Sequence, residues 1–495
     1  MGLQIQKETF EPEEYERFSQ RLADSLEVLQ QVLARPGFGV GPRTIGAELE
    51  MFLVDAAGFP LPVNRQVLGQ TMDPRVTVEI DRFNLECNLR PAPLAGRPFT
   101  AMREEFESAL AEVRRAAATQ GARVAVTGIL PTLREKDLGM GAMTAMPRYR
   151  ALSAAIRRRR GEEPLRVVIN GEDSLTLEWD DVTLEGANTS LQYHLRVDPA
   201  DFARMYNAAQ LATPVVLAVS SNSPFLLGRR LWDETRVALF RQAVDDRGEP
   251  QSEAPQHGRV TFGHGWVRQG PLELFAESVA LYPPLLPVMG PESPLECLAR
   301  GGLPRLDELR LHQGTVWSWN RAIYDPSGTG HVRIELRALP AGPTVVDMLA
   351  NGALLLGLTL GLSGDMEALL PGLPFPCARG NFIRAAKEGL DAKLLWPGRH
   401  APSPRLVSAG ALAEQLLPVA RKGLVDAGVD SEEADGLLSI VQARIRAECT
   451  GARWQRKMLA RLEADMPRQD ALAALLERYM LLASSGRPVH EWPQE

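Results

Sequence analysis

Apolar residues recur along the chain with two different periods. Between residues 11 and 34, Phe18, Leu22, Leu26, Leu29 and Leu33 repeat at three- and four-residue spacing, which predicts an amphipathic helix ending at Pro36-Gly37. From Arg43 the period becomes two. Ile45, Ala47, Leu49, Met51 and Leu53 alternate with Thr44, Gly46, Glu48, Glu50 and Phe52, the pattern of a strand with one polar face. Further helices are expected at about 98–119, 199–218, 231–245 and 345–362, and several more between 405 and 485. Further strands are expected at about 123–128, 165–170, 173–180, 189–197, 259–263 and 331–338. The Pro-rich stretches 281–294 and 396–404 read as loops or boundaries. Strands and helices do not alternate regularly, so the pattern predicts an α+β fold with a largely antiparallel sheet. It divides the chain into an N-terminal helix (1–40), a main domain (41–400) and a helical C-terminal region (401–495).

Several of these strands carry ionisable residues on alternate positions. Glu48 and Glu50 share one face; so do Glu86, Asn88 and Arg90; Ser190, Gln192, His194 and Arg196; and His331, Arg333, Glu335 and Arg337. Cys87 falls among the apolar residues of its strand and reads as packing. Alternation of this kind also describes a solvated outer face, but these rows use Glu, Gln, His and Arg and not one Lys. Glu79 and Glu86 are an odd number of residues apart, so the stretch Asp81-Arg82-Phe83-Asn84 must turn or bulge for both to reach the same side.

If Glu48, Glu50, Glu79, Glu86 and Glu335 meet in one cavity, burial and mutual repulsion keep them from ionising together without cations. Hard oxygen donors without thiolate point to Mg²⁺ or Mn²⁺, two ions or more. Arg333 and Arg337 beside them suit phosphate oxygens.

Composition narrows the partners. The 495 residues are 45% hydrophobic, and Lys+Arg 55 against Asp+Glu 62 gives a net charge of −7, which speaks against nucleic acid or an anionic membrane as partner. The four cysteines form no C-x-x-C pair, and the N-terminal stretch resembles neither a signal nor a transit peptide, so a cytoplasmic protein is expected. Met348 to Ser363 is the most apolar stretch, shorter than the ~20 residues of a bilayer span, and reads as a buried helix. Other candidates are more open. Arg236 and Arg241 serve either surface salt bridges or a substrate carboxylate or phosphate, and Arg148, after the flexible GMGAM stretch, could close on a ligand.

The ordered set GAELE at 46–50, Glu79 with Glu86, SLQYHLRV at 190–197, SSNSPFLLG at 220–228 and RIELRALPAGPTVVD at 333–347 resembles the bacterial and plant type glutamate–cysteine ligases. These lie within the glutamine-synthetase-like carboxylate–amine ligases. The resemblance implies a curved, mainly antiparallel sheet forming a funnel between helices. It implies one metal on Glu50, Glu79 and Glu86, and a second on Glu48, Glu335 and Gln192, with His194 able to substitute. Arg337 matches a phosphate-contacting arginine, and Asn320 or Arg321 of WSWNR falls where the family places substrate-pocket residues; Trp317 and Trp319 could equally be core. The implied chemistry uses ATP. A glutamate carboxylate becomes an acyl phosphate, and an amine, cysteine in the first instance, displaces phosphate. The alternatives are another amine with the same mechanism, or a non-catalytic subunit that binds nucleotide or amino acid. The C-terminal helices offer surfaces for a homo-oligomer.

Overall fold

The computed structural model describes residues 5–161, 163–248, 256–399 and 403–494, so part of the loop expected at 396–404 lies outside the described residues. Its centre is an antiparallel sheet of β1 (Thr44–Val54), β2 (Val76–Val78), β3 (Asn84–Asn88), β4 (Ser190–Val197), β5 (Asn320–Asp325) and β6 (His331–Pro340). They lie side by side in the order β5-β6-β4-β1-β3-β2, and the short strands Ala92–Pro93 and Arg123–Ala125 also pair with β1. Every neighbouring pair in this sheet is antiparallel.

The period-two pattern sets which face is covered. Ile45, Ala47, Leu49, Met51 and Leu53 of β1, and Leu191, Tyr193 and Leu195 of β4, are all buried in the main core. Helices Phe202–Ser220 and Val345–Leu362 pack behind them, and the Tyr193 hydroxyl donates to the Met348 carbonyl at 2.9 Å. The second helix is apolar on every side because it is enclosed on every side: Met348 through Thr359 are buried.

The expected boundaries at 40 and 400 do not separate cores. One hydrophobic cluster runs from Ile5 through Val441. The reason lies in side-chain size. Helix Ala409–Asp426 lies against Val345–Leu362 where both carry glycine; a Cβ at Gly357 would sit 2.6 Å from the Ala420 carbonyl oxygen, and Gly361 and Gly423 are equally tight. A buried ion pair, Arg444 to Asp347 at 2.8 Å, ties helix Ser431–Arg446 to the same element.

The helices at Pro12–Leu33, Pro98–Ala118, Phe202–Ser220 and Val345–Leu362 follow the expected spans closely. The helix expected at 231–245 is confined to Thr235–Ala243, and the strand at 259–263 to Val260–Thr261. Helices Pro271–Leu281 and Phe375–Glu388, and strand β5, have no counterpart in the sequence pattern.

Candidate active site

The charged rows of the strands meet on one face because their registers align them. Glu48 lies opposite Gln192, Glu50 opposite Glu86, His194 opposite Glu335, and Arg321 opposite Glu335 from the other side. The odd spacing of Glu79 and Glu86 is resolved by a hairpin. Thr77 faces Glu86 and Val78 faces Leu85, and the Glu79 N–H points to the Asn84 carbonyl at 3.5 Å. Glu79, two residues beyond Thr77, therefore projects from the same face as Glu86.

On that face the side chains form a connected network. Glu48 Oε1 lies 2.9 Å from His194 Nε2, which is 3.9 Å from Glu335 Oε1. Glu335 Oε2 accepts from Arg321 Nε at 2.6 Å and lies 3.4 Å from Arg337. Arg337 donates to Gln192 Oε1 at 2.6 Å, and Gln192 Nε2 donates to Glu50 Oε1 at 3.0 Å. The Ser190 N–H holds the other Glu50 oxygen at 2.6 Å. Arg333 pairs with Asp325 at 2.6 Å and donates to His194 Nδ1 at 3.1 Å, which leaves Nε2 as the ring nitrogen that faces Glu48. Beside the network is a cavity of about 430 Å³. Glu79, Glu185, Glu335, Arg148, Arg321 and Arg333 form its polar wall, and Phe275, Leu286, Leu311 and Trp317 its apolar wall.

The carboxylates divide into two electrostatic groups. Burial raises Glu335, but Arg321 and Arg337 outweigh it and hold this carboxyl well below its ordinary value. Burial likewise works against Glu48, and the His194 imidazole keeps it low. The others shift upward. Burial, and then Glu50, pushes Glu79 up to about 7; burial, and then Glu48 and Glu79, takes Glu86 well above the usual range. Glu50 is raised by burial, with Arg236 and Arg337 opposing. Glu185 is pushed up to about 8 by burial and then by Glu79 and Glu50. Such a set carries more potential negative charge than its arginines neutralise, which is the electrostatic condition a divalent cation relieves. Glu48, His194 and Glu335 each offer a donor atom, all within 4.8 Å of one another. A set dominated by carboxylate oxygens and without sulfur fits a hard divalent cation.

Not every candidate from the sequence reaches this place. Gln192, expected as a metal donor, has its carbonyl oxygen taken by Arg337, and His194 stands beside Glu48 and Glu335 instead. Asn320 faces away from the site: it is 1% exposed, opposite Leu336, and donates to Gln210 at 2.7 Å and Thr213 at 3.1 Å. Arg241 is exposed on its helix, away from the cavity wall. Arg236 is buried and paired with Glu234 at 2.9 Å; it acts on the site through its field on Glu50 rather than by lining the cavity. Arg148 and Arg321 do line it. Glu185, on the turn Glu185–Ala187, escaped the sequence reading because it belongs to no periodic segment.

The family model described as glutamate-cysteine ligase family 2 matches residues 44–477. A protein of Mycobacterium sp. (strain KMS), provisionally named glutamate–cysteine ligase 2-2, is 24% identical over 418 residues, covering 83% of this chain and 93% of that protein. One of Paenarthrobacter aurescens (strain TC1), provisionally named glutamate–cysteine ligase 2-1, is 22% identical over 436 residues, covering 85% of this chain and 92% of that protein. The crystal structure of glutamate–cysteine ligase from Francisella tularensis in complex with AMP is similar with a TM-score of 0.54 at 11% identity, over 92% of this chain and 91% of that one. That last likeness is one of fold, and it agrees with the antiparallel sheet between helices expected from the sequence.

Proposed function

Since the chain belongs to glutamate-cysteine ligase family 2 and is an ATP-dependent carboxylate–amine ligase with a glutamine-synthetase-like fold, we propose that it joins the γ-carboxylate of glutamate to the amine of cysteine. The observation that carries this reading is the convergence of Glu48, Glu50, Glu79, Glu86 and Glu335 with Arg321, Arg333 and Arg337 on one sheet face beside a cavity.

Glu50, Glu79 and Glu86 would hold one divalent ion, and Glu48, His194 and Glu335 a second, Mg²⁺ or Mn²⁺. Ions bound there supply neutralisation of the charge that builds on a transferring phosphoryl group. Arg333 and Arg337 hold phosphate oxygens of ATP through their guanidinium forks. Arg321 and Arg148, in the cavity wall, bind substrate carboxylates. The glutamate carboxylate attacks the γ-phosphorus, ADP departs, and the amine then displaces phosphate from the acyl phosphate. The protein contributes orientation and exclusion of water, with no covalent enzyme intermediate. The four cysteines are free thiols, which suits a cytoplasmic enzyme whose partners are ATP and small amino acids.

The test is product analysis. Purified protein with Mg²⁺ and ATP is expected to release ADP and phosphate only when glutamate and cysteine are both present, with mass spectrometry identifying the γ-glutamyl amide. Release of AMP and pyrophosphate would contradict the acyl-phosphate route, and turnover with a different amine would correct the substrate.

A further inference from the structure

We propose that Glu185 receives the ammonium group of the amine substrate and takes one of its protons before attack. The inference rests on the ligase reading above. The amine of a free amino acid is more basic than a chain's α-amino group, whose pKa is about 8, so it arrives as an ammonium ion with no lone pair to attack an acyl phosphate. The site therefore needs a carboxylate that first holds the cation and then accepts its proton.

The carboxylates of the site are not equally free for that task. Glu335 is engaged by Arg321, Glu48 by His194, and Glu50 by the Ser190 N–H and Gln192. Glu86 accepts from Asn88 at 2.6 Å. Glu79 stands with Glu50 and Glu86 on the sheet. Glu185, like Glu79, lines the cavity with a carboxylate that has no hydrogen bond or ion pair with any of the described residues, but it does so from outside the sheet, apart from the carboxylates grouped for an ion.

Its placement is also fixed. The Glu185 N–H donates to the Val182 carbonyl at 3.0 Å, and the Asn188 N–H returns to the Glu185 carbonyl at 2.9 Å. Gly186 is packed so closely on Asp81 that a Cβ there would overlap the carboxylate, which pins the turn to the β2–β3 hairpin. Two residues beyond Asn188, Ser190 begins β4 and holds Glu50. Half-buried and without a partner on its turn, Glu185 is favoured in its charged form once a cation enters the cavity beside it, so the arriving ammonium group itself prepares the carboxylate that accepts its proton. The cavity's apolar wall of Phe275, Leu286 and Leu311 accommodates the uncharged part of the amine.

The Glu185 carboxylate takes one proton from R–NH₃⁺ and becomes a neutral carboxyl. The freed lone pair forms the C–N bond at the acyl carbon, the C–O bond to phosphate breaks with its electron pair, and the second N–H proton leaves on the phosphate.

Glu185→Gln tests this with glutamate, ATP, Mg²⁺ and two nucleophiles. Hydroxylamine is uncharged at neutral pH and needs no deprotonation before attack, whereas cysteine does. The variant is expected to form the glutamyl hydroxamate at the wild-type rate while the cysteine amide falls by about 100- to 10,000-fold. An unchanged amide rate, loss of both products together, or a defect that excess Mn²⁺ repairs would overturn the assignment. Wild-type protein that forms neither product would instead overturn the ligase reading, and the inference with it.

Discussion

Raising the pH of the metal-free protein from about 6.5 to about 8 is expected to lower its stability, and saturating Mn²⁺ to cancel that loss. Glu79 and Glu185, at about 7 and about 8 in the folded protein, keep protons there that an unfolded chain has released, their ordinary value being 4.5. The native state then binds more protons than the unfolded state, so stability falls as pH rises toward the folded values. Across this window Glu79 contributes roughly half a unit and Glu185 roughly 1.2 units. At about 1.4 kcal/mol per unit this gives about 2.4 kcal/mol. Glu86 and Asp81, raised well above the usual carboxylate range by burial, act in the same direction. The lower limit is chosen because burial holds His264 and His312 down at about 4. Their contribution rises with pH mainly below the unfolded histidine value, so between about pH 6.5 and about 8 the two together return only about 0.8 kcal/mol of the loss. Glu48 and Glu335, held low, lose their contribution only in acid, as pH falls through their folded values. The assay is the thermal midpoint by calorimetry at both pH values, in EDTA and in excess MnCl₂. A metal-free midpoint that is level or rises with pH, or a slope that Mn²⁺ leaves unchanged, would refute the reasoning.

Other outcomes follow from individual contacts. Glu335→Gln is expected to cut metal-dependent turnover by about 100-fold or more while circular dichroism stays unchanged, since its neighbours Arg321 and Arg337 lose their anion without loss of packing volume. Arg321→Ala is expected to raise KM for the carboxylate substrate by about 10- to 100-fold, the loss of one charge-assisted contact, whereas Arg241→Ala on the exposed helix leaves steady-state kinetics alone. Arg444→Met strands Asp347 inside the core and is expected to cost about 3–5 kcal/mol in denaturant or thermal unfolding.

The site's charged rows were legible in the sequence because a sheet with one covered face forces period-two alternation, and β1, β4 and β6 are long enough to display it. Strand β5 was not. Its buried positions are Asn320, Ala322 and Tyr324, so two of three inward residues are polar or amphipathic, and the amide nitrogen of Asn320 donates to Gln210 and Thr213 on a helix more than a hundred residues away. Sequence spacing cannot reveal such a partner. The choice between Gln192 and His194 was hidden for a similar reason: which side chain Arg337 engages depends on the packing of three strands. The Pro-rich stretch near 400 looked like a boundary, yet the helices beyond it share the core through glycine contacts that only the folded chain brings together.

The central claim is that carboxylates from distant segments form one ion-binding face. Anomalous scattering from a crystal grown with Mn²⁺ and a nonhydrolysable ATP analogue measures it directly. Peaks beside Glu50, Glu79 and Glu86, and between Glu48, His194 and Glu335, with triphosphate oxygens at Arg333 and Arg337, are the expected result. Manganese bound elsewhere on the protein, or a triphosphate seated away from these arginines, would contradict it.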